Sequence, residues 1–213
     1  MKPSPLSERK ETYFVPVEIG EGNLREKASR FLSFLYPCPS AEEAGSRRRE
    51  LQKKFHDSSH QPYALRLGTG AEITEKASDD GEPPHSAGDP ILNALRHARL
   101  TNSLLVVVRY FGGTKLGTGG LAKAFGESAS MAIGNAKLKE FVPMKTIEVS
   151  MPFALEGHFR HILSKTGGAP LDETREENCR AVCEVPVDMA GKLEDALAEL
   201  RERWTSTLRW KWK

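Results

Sequence analysis

Apolar positions along this chain repeat with a period of two in some stretches and of about 3.6 in others, and the changes mark its elements. TYFVPVEI and KASRFLSFLY, within residues 12–37, alternate enough to predict two strands, with GEGN at 20–23 as the turn between them. Ser40 followed by Glu43 is a capping-box pattern that starts a helix running to about Phe55. Its apolar positions are sparse (Ala44, Leu51, Phe55) and it carries Arg47, Arg48, Arg49, Lys53 and Lys54, so a surface helix with a basic face is expected. PYALRLG and AEITEKA read as two more strands, joined at Gly68 to Gly70. SDDGEPPHSAG, with its prolines and glycines, is loop. Asp89 and Pro90 then supply an N-cap acceptor and a first-turn proline for a helix whose apolar stripe is Ile91, Leu95 and Ala98. SLLVVVRYF at 103–111 is almost wholly apolar, which predicts a central strand buried on both faces. The next helix, from about Thr118 to Gly134, is lined by small residues and must approach a sheet closely.

The pattern restarts between Lys139 and Pro143. MKTIEVSMP predicts a strand, and EGHFRHILSKTGG a helix with Phe159, Ile162 and Leu163 inside. APLDETREE and CRAVCEVPV follow as strands, and DMAGKLEDALAELRERW as a helix with Met189, Leu193, Leu197, Leu200 and Trp204 on one side. TLRWKWK closes as a strand. The order βαββαβ is that of a ferredoxin-like unit. The reading is therefore an α+β chain of two domains, 1–138 and 139–213.

Composition narrows the classes. The longest apolar run, LLVVV at 104–108, falls far short of the roughly 20 residues of a membrane span. The opening MKPSPLSERKETYF lacks the apolar core of a signal peptide, so a cytoplasmic protein is expected, with no membrane partner. A net charge of +2 leaves any nucleic-acid surface to be a local patch. Such patches are RRRELQKK and the ending LRWKWK, where Trp210 and Trp212 alternate with Arg209, Lys211 and Lys213. As a strand the ending puts its tryptophans on one face, packed beneath the second domain, and its charges on the other. Cys38, Cys179 and Cys183 make neither a disulfide framework nor a zinc site, and packing residues in a reducing compartment are expected.

Two segments carry candidate chemistry. RYFGGTKLGTGG at 109–120 sits between the apolar strand and the small-residue helix. Its glycines Gly112, Gly113, Gly117, Gly119 and Gly120 leave backbone amides bare near a helix N-terminus, while Thr114, Lys115, Thr118 and Arg109 add donors and charge. An oxyanion site is expected there. A nucleotide P-loop is excluded because Lys115 precedes LGTGG rather than entering the helix, and a dinucleotide fingerprint because its first glycine would stand too far from the strand. Asp79, Asp80 and Glu82 with His85 form the second segment, able to hold a hard cation, to move a proton, or merely to shape a turn. His60, just before a strand, is expected in the same cleft. His158 and His161 lie three apart on a helix with no third metal ligand in view.

DDGEP at 79–83, AG at 87–88, PIL at 90–92 and VVRYFGGTKLGTGGL at 107–121 resemble the YigZ/IMPACT family over most of residues 10–140. The two-domain layout resembles the bacterial YigZ branch, without the amino-terminal regulatory domain of the eukaryotic proteins. The resemblance implies a first domain similar to ribosomal protein S5 domain 2 and a tail domain similar to a late domain of elongation factor G. It also implies a role in translation control, with RNA, the ribosome or a translation-factor protein as partner. Asp79, Asp80, Gly81, Glu82, Pro83, Ala87, Gly88, Arg109, Tyr110, Thr114, Lys115, Thr118 and the loop glycines match by position, and His60 matches a family histidine. The chain departs from the family pattern at Pro62, Pro84, His85, Ser86 and Asp89. A non-enzymatic binding protein without cofactor is the leading expectation. Its rival is an enzyme on a phosphorylated small molecule or nucleotide, the one reading in which Mg²⁺ would take part.

Overall fold

The computed structural model describes residues 12–204 and 207–213, and the chain divides between Phe141 and Val142 into two units. In the first, β1 (Tyr13–Pro16) pairs antiparallel with β7 (Leu138–Phe141). The pattern restart placed at 139 is therefore the pairing strand of the first unit, and the second begins three residues later. A five-stranded antiparallel sheet is built from β2 (Gly20–Glu26), β3 (Ser29–Pro37), β4 (Tyr63–Leu67), β5 (Thr74–Ser78) and β6 (Ser103–Tyr110), in the order β2-β3-β6-β4-β5. The apolar run from Ser103 lies in the middle and is buried along seven of its eight residues, as expected of a strand covered on both faces.

Helices α2 (Gly88–His97) and α3 (Gly117–Gly134) cover one face, over Phe31, Leu35, Ile91, Leu95, Leu105, Val107 and Phe125. α1 (Ala41–Lys54) covers the other, packing Ala44 and Leu51 with Phe34, Tyr36, Tyr63 and Leu104. Ser40 caps α1 as expected, its Oγ accepting from Glu43 N at 3.2 Å. The helix is only half a surface element, because Arg47 and Arg48 lie over the rings of Tyr36 and Tyr63.

Two local expectations are corrected. GEGN is not a turn but the start of β2; the hairpin turns at Lys27 and Ala28, both with positive φ (44° and 67°). Gly20 and Gly22 are needed for packing instead, since a Cβ at Gly20 would stand 2.2 Å from the Ala132 carbonyl oxygen of α3. Asp89 does not cap α2. The helix begins at Gly88, and its cap comes from nine residues upstream.

The second unit contains β8 (Met144–Met151), α4 (Glu156–Lys165), β9 (Ala169–Arg175), β10 (Cys179–Pro186), α5 (Ala190–Trp204) and β11 (Arg209–Trp212). Its antiparallel sheet runs β11-β8-β10-β9. Phe159 and Leu163 of α4 and Leu193, Leu197 and Leu200 of α5 pack on Ile147, Val149, Cys183 and Val185 of one face. Trp204, expected in that stripe, is 47% exposed. Trp210 and Trp212 pack against the same core, and both indole N–H groups donate to Glu194. All three cysteines are buried free thiols, and burial pushes Cys183 up to about 11. No described helix is long and apolar enough to cross a membrane.

Candidate functional site

Two connections of the first unit meet beside the end of β6. The loop from Asp79 to Ala87 joins β5 to α2, and the loop from Phe111 to Leu116 joins β6 to α3. Arg109, next to last in β6, ties them together. Its Nη1 meets Glu82 Oε1 at 2.6 Å, in a pair whose side chains are 6% and 2% exposed. The guanidinium lies over the Phe31 and Phe111 rings, 5.6 and 5.4 Å from their centroids. Removing either partner would leave a buried charge, at a cost of about 3–5 kcal/mol. Arg109, expected to face an anion, is thus spent on holding the acidic loop.

The other acidic residues are also engaged. Asp79 Oδ1 accepts from the amides of Ala87 (2.9 Å) and Gly88 (2.8 Å), and Oδ2 from His85 N (2.9 Å). Its carboxylate thus does from outside the helix what the N-cap residue of α2, Ala87, has no side chain to do. Burial pushes its carboxyl up, but the donors Gly88, His85 and Ala87 together hold it below its ordinary value. Asp80, at φ 47°, accepts from Gln61 N at 2.8 Å, and its carbonyl meets His60 Nδ1 at 2.8 Å. His60 is bridged to Arg109 through the backbone, and the following Gly81 (φ 86°) leaves room for its ring. His60, Asp80, Glu82 and Arg109 therefore form one interlocked cluster. Among the described residues no group of three or more acidic, His or Cys side chains is arranged to hold a metal. His85 sits at the rim, 83% exposed, with Nδ1 2.7 Å from Asp89 Oδ2. His85 and Asp89 are thus each other's partner.

The glycine loop is anchored at its start and open beyond. Phe111 N donates to Ser59 Oγ (3.0 Å), and Gly112 N to Ser29 Oγ (3.1 Å). A Cβ at Gly112 would lie 2.1 Å from the Ala28 carbonyl carbon, so only glycine fits against the β2–β3 turn. Gly113 and Gly117 have positive φ (86° and 73°) with nothing near the position of a Cβ. Gly113, Thr114, Lys115, Gly117, Thr118 and Gly119 are exposed. Leu116 at the N-cap of α3 provides no side-chain acceptor, and no acidic residue stands in the first turn. The first-turn amides, which have no intrahelical partner, form the positive end of an 18-residue helix. Ser29 and Ser59 were not legible as site residues, since neither lies in a motif and only the β2–β3 turn and the bridge at His60 bring them to the loop.

Away from both loops, a groove of about 620 Å³ runs between α4 and α5, with His158, His161, Glu199 and Arg203 among its lining residues. His158 stacks obliquely on Trp204, with ring centroids 5.3 Å apart.

Residues 27–133, which contain both loops, match the model of the Impact N-terminal domain. The chain belongs to the IMPACT family. The IMPACT family member YvyE of Bacillus subtilis is 34% identical over 155 residues, 73% of this chain and 71% of its own length. An IMPACT family member of Thermus thermophilus is 38% identical over 138 residues, covering 63% of this chain and 72% of its own. The IMPACT family member YigZ of Escherichia coli is 34% identical over 119 residues, 55% of this chain and 58% of its own. A crystal structure described as that of a hypothetical protein superposes with a TM-score of 0.67 at 25% identity, covering 94% of this chain and 96% of its own, so the mixed α/β two-unit architecture is shared. The two-domain translational regulator Yih1 overlaps 64% of the chain at a TM-score of 0.40 and 20% identity, too distant to carry an argument. The Impact N-terminal domain match covers the first unit's site and ends at residue 133, within the first unit, whereas the 155 residues matched by YvyE exceed the 141 of that unit.

Proposed function

We propose that this protein is a non-enzymatic, translation-associated binding protein, and that its glycine loop receives a phosphate-bearing partner, RNA on the ribosome in the first place. One observation carries the reading: Asp79, Asp80, Glu82 and His60 are all held by internal partners, whereas Lys115 and the uncapped start of α3 stand open. The acidic cluster then acts as a brace for the loop, and the loop supplies amides and positive charge to an oxyanion. IMPACT family membership supports the translation setting. The first unit's five-stranded sheet is consistent with an S5-domain-2-like fold, and the βαββαβ order with sheet order β11-β8-β10-β9 supports a ferredoxin-like second unit. Three free thiols fit a cytoplasmic setting.

Sedimentation of the protein with ribosomes on sucrose gradients, at low and moderate salt, tests this. Co-sedimentation that weakens with salt and with Lys115→Ala is expected; no association at either salt overturns it. The same open helix start gives the rival reading, an enzyme on a nucleotide or phosphorylated metabolite with Mg²⁺, its one supporting observation. That reading requires a nucleotide-dependent rise in melting temperature that Lys115→Ala abolishes.

A further inference from the structure

The sheet of the second unit has two faces of opposite character. Ile147, Val149 and Met151 of β8, with Ala181, Cys183 and Val185 of β10, turn toward α4 and α5. The alternate residues turn the other way. Register places them in rows across the sheet: Arg209, Ser150, Arg180 and Thr174 in one, Lys211, Glu148, Val182 and Asp172 in the next, then Thr146 beside Glu184. Lys213 follows on β11, its amide donating to Thr146 O. We propose that this face is an electrostatic docking surface for the sugar–phosphate backbone of a nucleic-acid strand, centred on β11, β8 and Arg180.

Charge placement carries the argument. Arg180 reaches Glu148 Oε1 at 2.5 Å, and Lys211 and Lys213 reach Oε2 at 3.4 and 3.2 Å. Glu148 is sunk among them, its side chain 11% exposed, while the three cations remain 48–66% exposed. One carboxylate gathers three positive charges and cannot neutralise them, and exposed Arg209 adds a fourth. The other acids on this face are Glu184, four residues along β10 from Arg180, and Asp172 on β9, the edge strand farthest from β11. Arg209 and Lys211 of β11 and the Lys213 that follows it stand at alternate positions, about 6.7 Å apart, comparable to successive phosphates along an extended strand. Thr146 and Ser150 put hydroxyl groups beside them. The aromatic residues of β11, Trp210 and Trp212, belong to the opposite face, so the surface reads the backbone and not the bases. Complementarity of this kind needs a partner whose charges repeat along a line.

The surface is independent of the glycine loop, and the test keeps them apart. Fluorescence anisotropy of the full chain with a labelled oligouridylate, across a salt series, is the measurement. Substituting Arg180→Ala, Lys211→Ala and Lys213→Ala together is expected to weaken binding at least about tenfold and to flatten the salt slope by about 2, from three lost contacts at about 0.7 each. Glu148→Gln, which releases the cations without creating a cavity, is expected to tighten binding several-fold. In the Lys115→Ala background, whatever that substitution takes from the overall affinity, both effects are expected to keep the same fold-change. Unchanged affinity in the triple variant, weaker binding in Glu148→Gln, or loss of all binding in Lys115→Ala would each overturn the proposal, the last while supporting the loop as the nucleic-acid site. Tighter binding of polyglutamate than of oligouridylate overturns it in favour of an acidic protein segment.

Discussion

Asp79 does at one residue what the acidic loop does as a whole: it spends a carboxylate on geometry. Three backbone donors converge on it, so the loop and the start of α2 stand or fall together. Asp79→Asn is expected to cost about 1–3 kcal/mol at neutral pH. Because the folded state holds this carboxyl below its ordinary value, its contribution is present above about pH 4 and is lost as pH falls through the folded value. Urea denaturation at pH 7, 4 and 3 should therefore show the deficit shrinking toward acid; a deficit independent of pH would refute the account. The residue types were legible as chemistry, but their use was not. Paired carboxylates near a histidine fit a cation site or a brace equally well. Only the partners at Gln61, Arg109 and Gly88 decide between them.

Among elements, the connection from β6 to α3 combines two demands on glycine. Gly112 is wedged against the backbone of Ala28 and Ser29, while Gly119, in the first turn of α3, has open space where a Cβ would go. Gly112→Ala is expected to destabilise by about 1–3 kcal/mol through overpacking. Gly119→Ala should be neutral or stabilising by up to about 1 kcal/mol, since alanine is the better helix former. Thermal denaturation of the two variants side by side checks this, and equal destabilisation would mean that the loop is packed in some other way. The helix-forming stretches were largely readable from the chain, because periodicity and caps act locally. GEGN and Asp89 misled for the same reason in reverse. Their glycines and carboxylate look local, but Gly20 answers to Ala132, and the cap of α2 arrives from Asp79.

At the scale of the whole molecule, each unit has its own apolar core, and the second closes around Phe159, Leu163, Leu193 and Leu197. A fragment of residues 142–213 is therefore expected to fold alone, with a cooperative thermal transition by circular dichroism at a temperature below that of the full chain, as small cores are marginal. A broad, non-cooperative melt would show that this core does not suffice.

By itself the sequence determined the order of nearly all strands and helices, the central place of the strand from Ser103, the outward charges of β11 and the IMPACT family, because these follow from periodicity and from strings of residues read in place. Tertiary structure alone decided that Arg109 is buried against Glu82 and not offered to a ligand, that Ser29 and Ser59 anchor the glycine loop, and that Glu148 collects three cations. Those facts depend on side chains brought together from strands and loops far apart in the chain, and a buried charge takes its role from its partner.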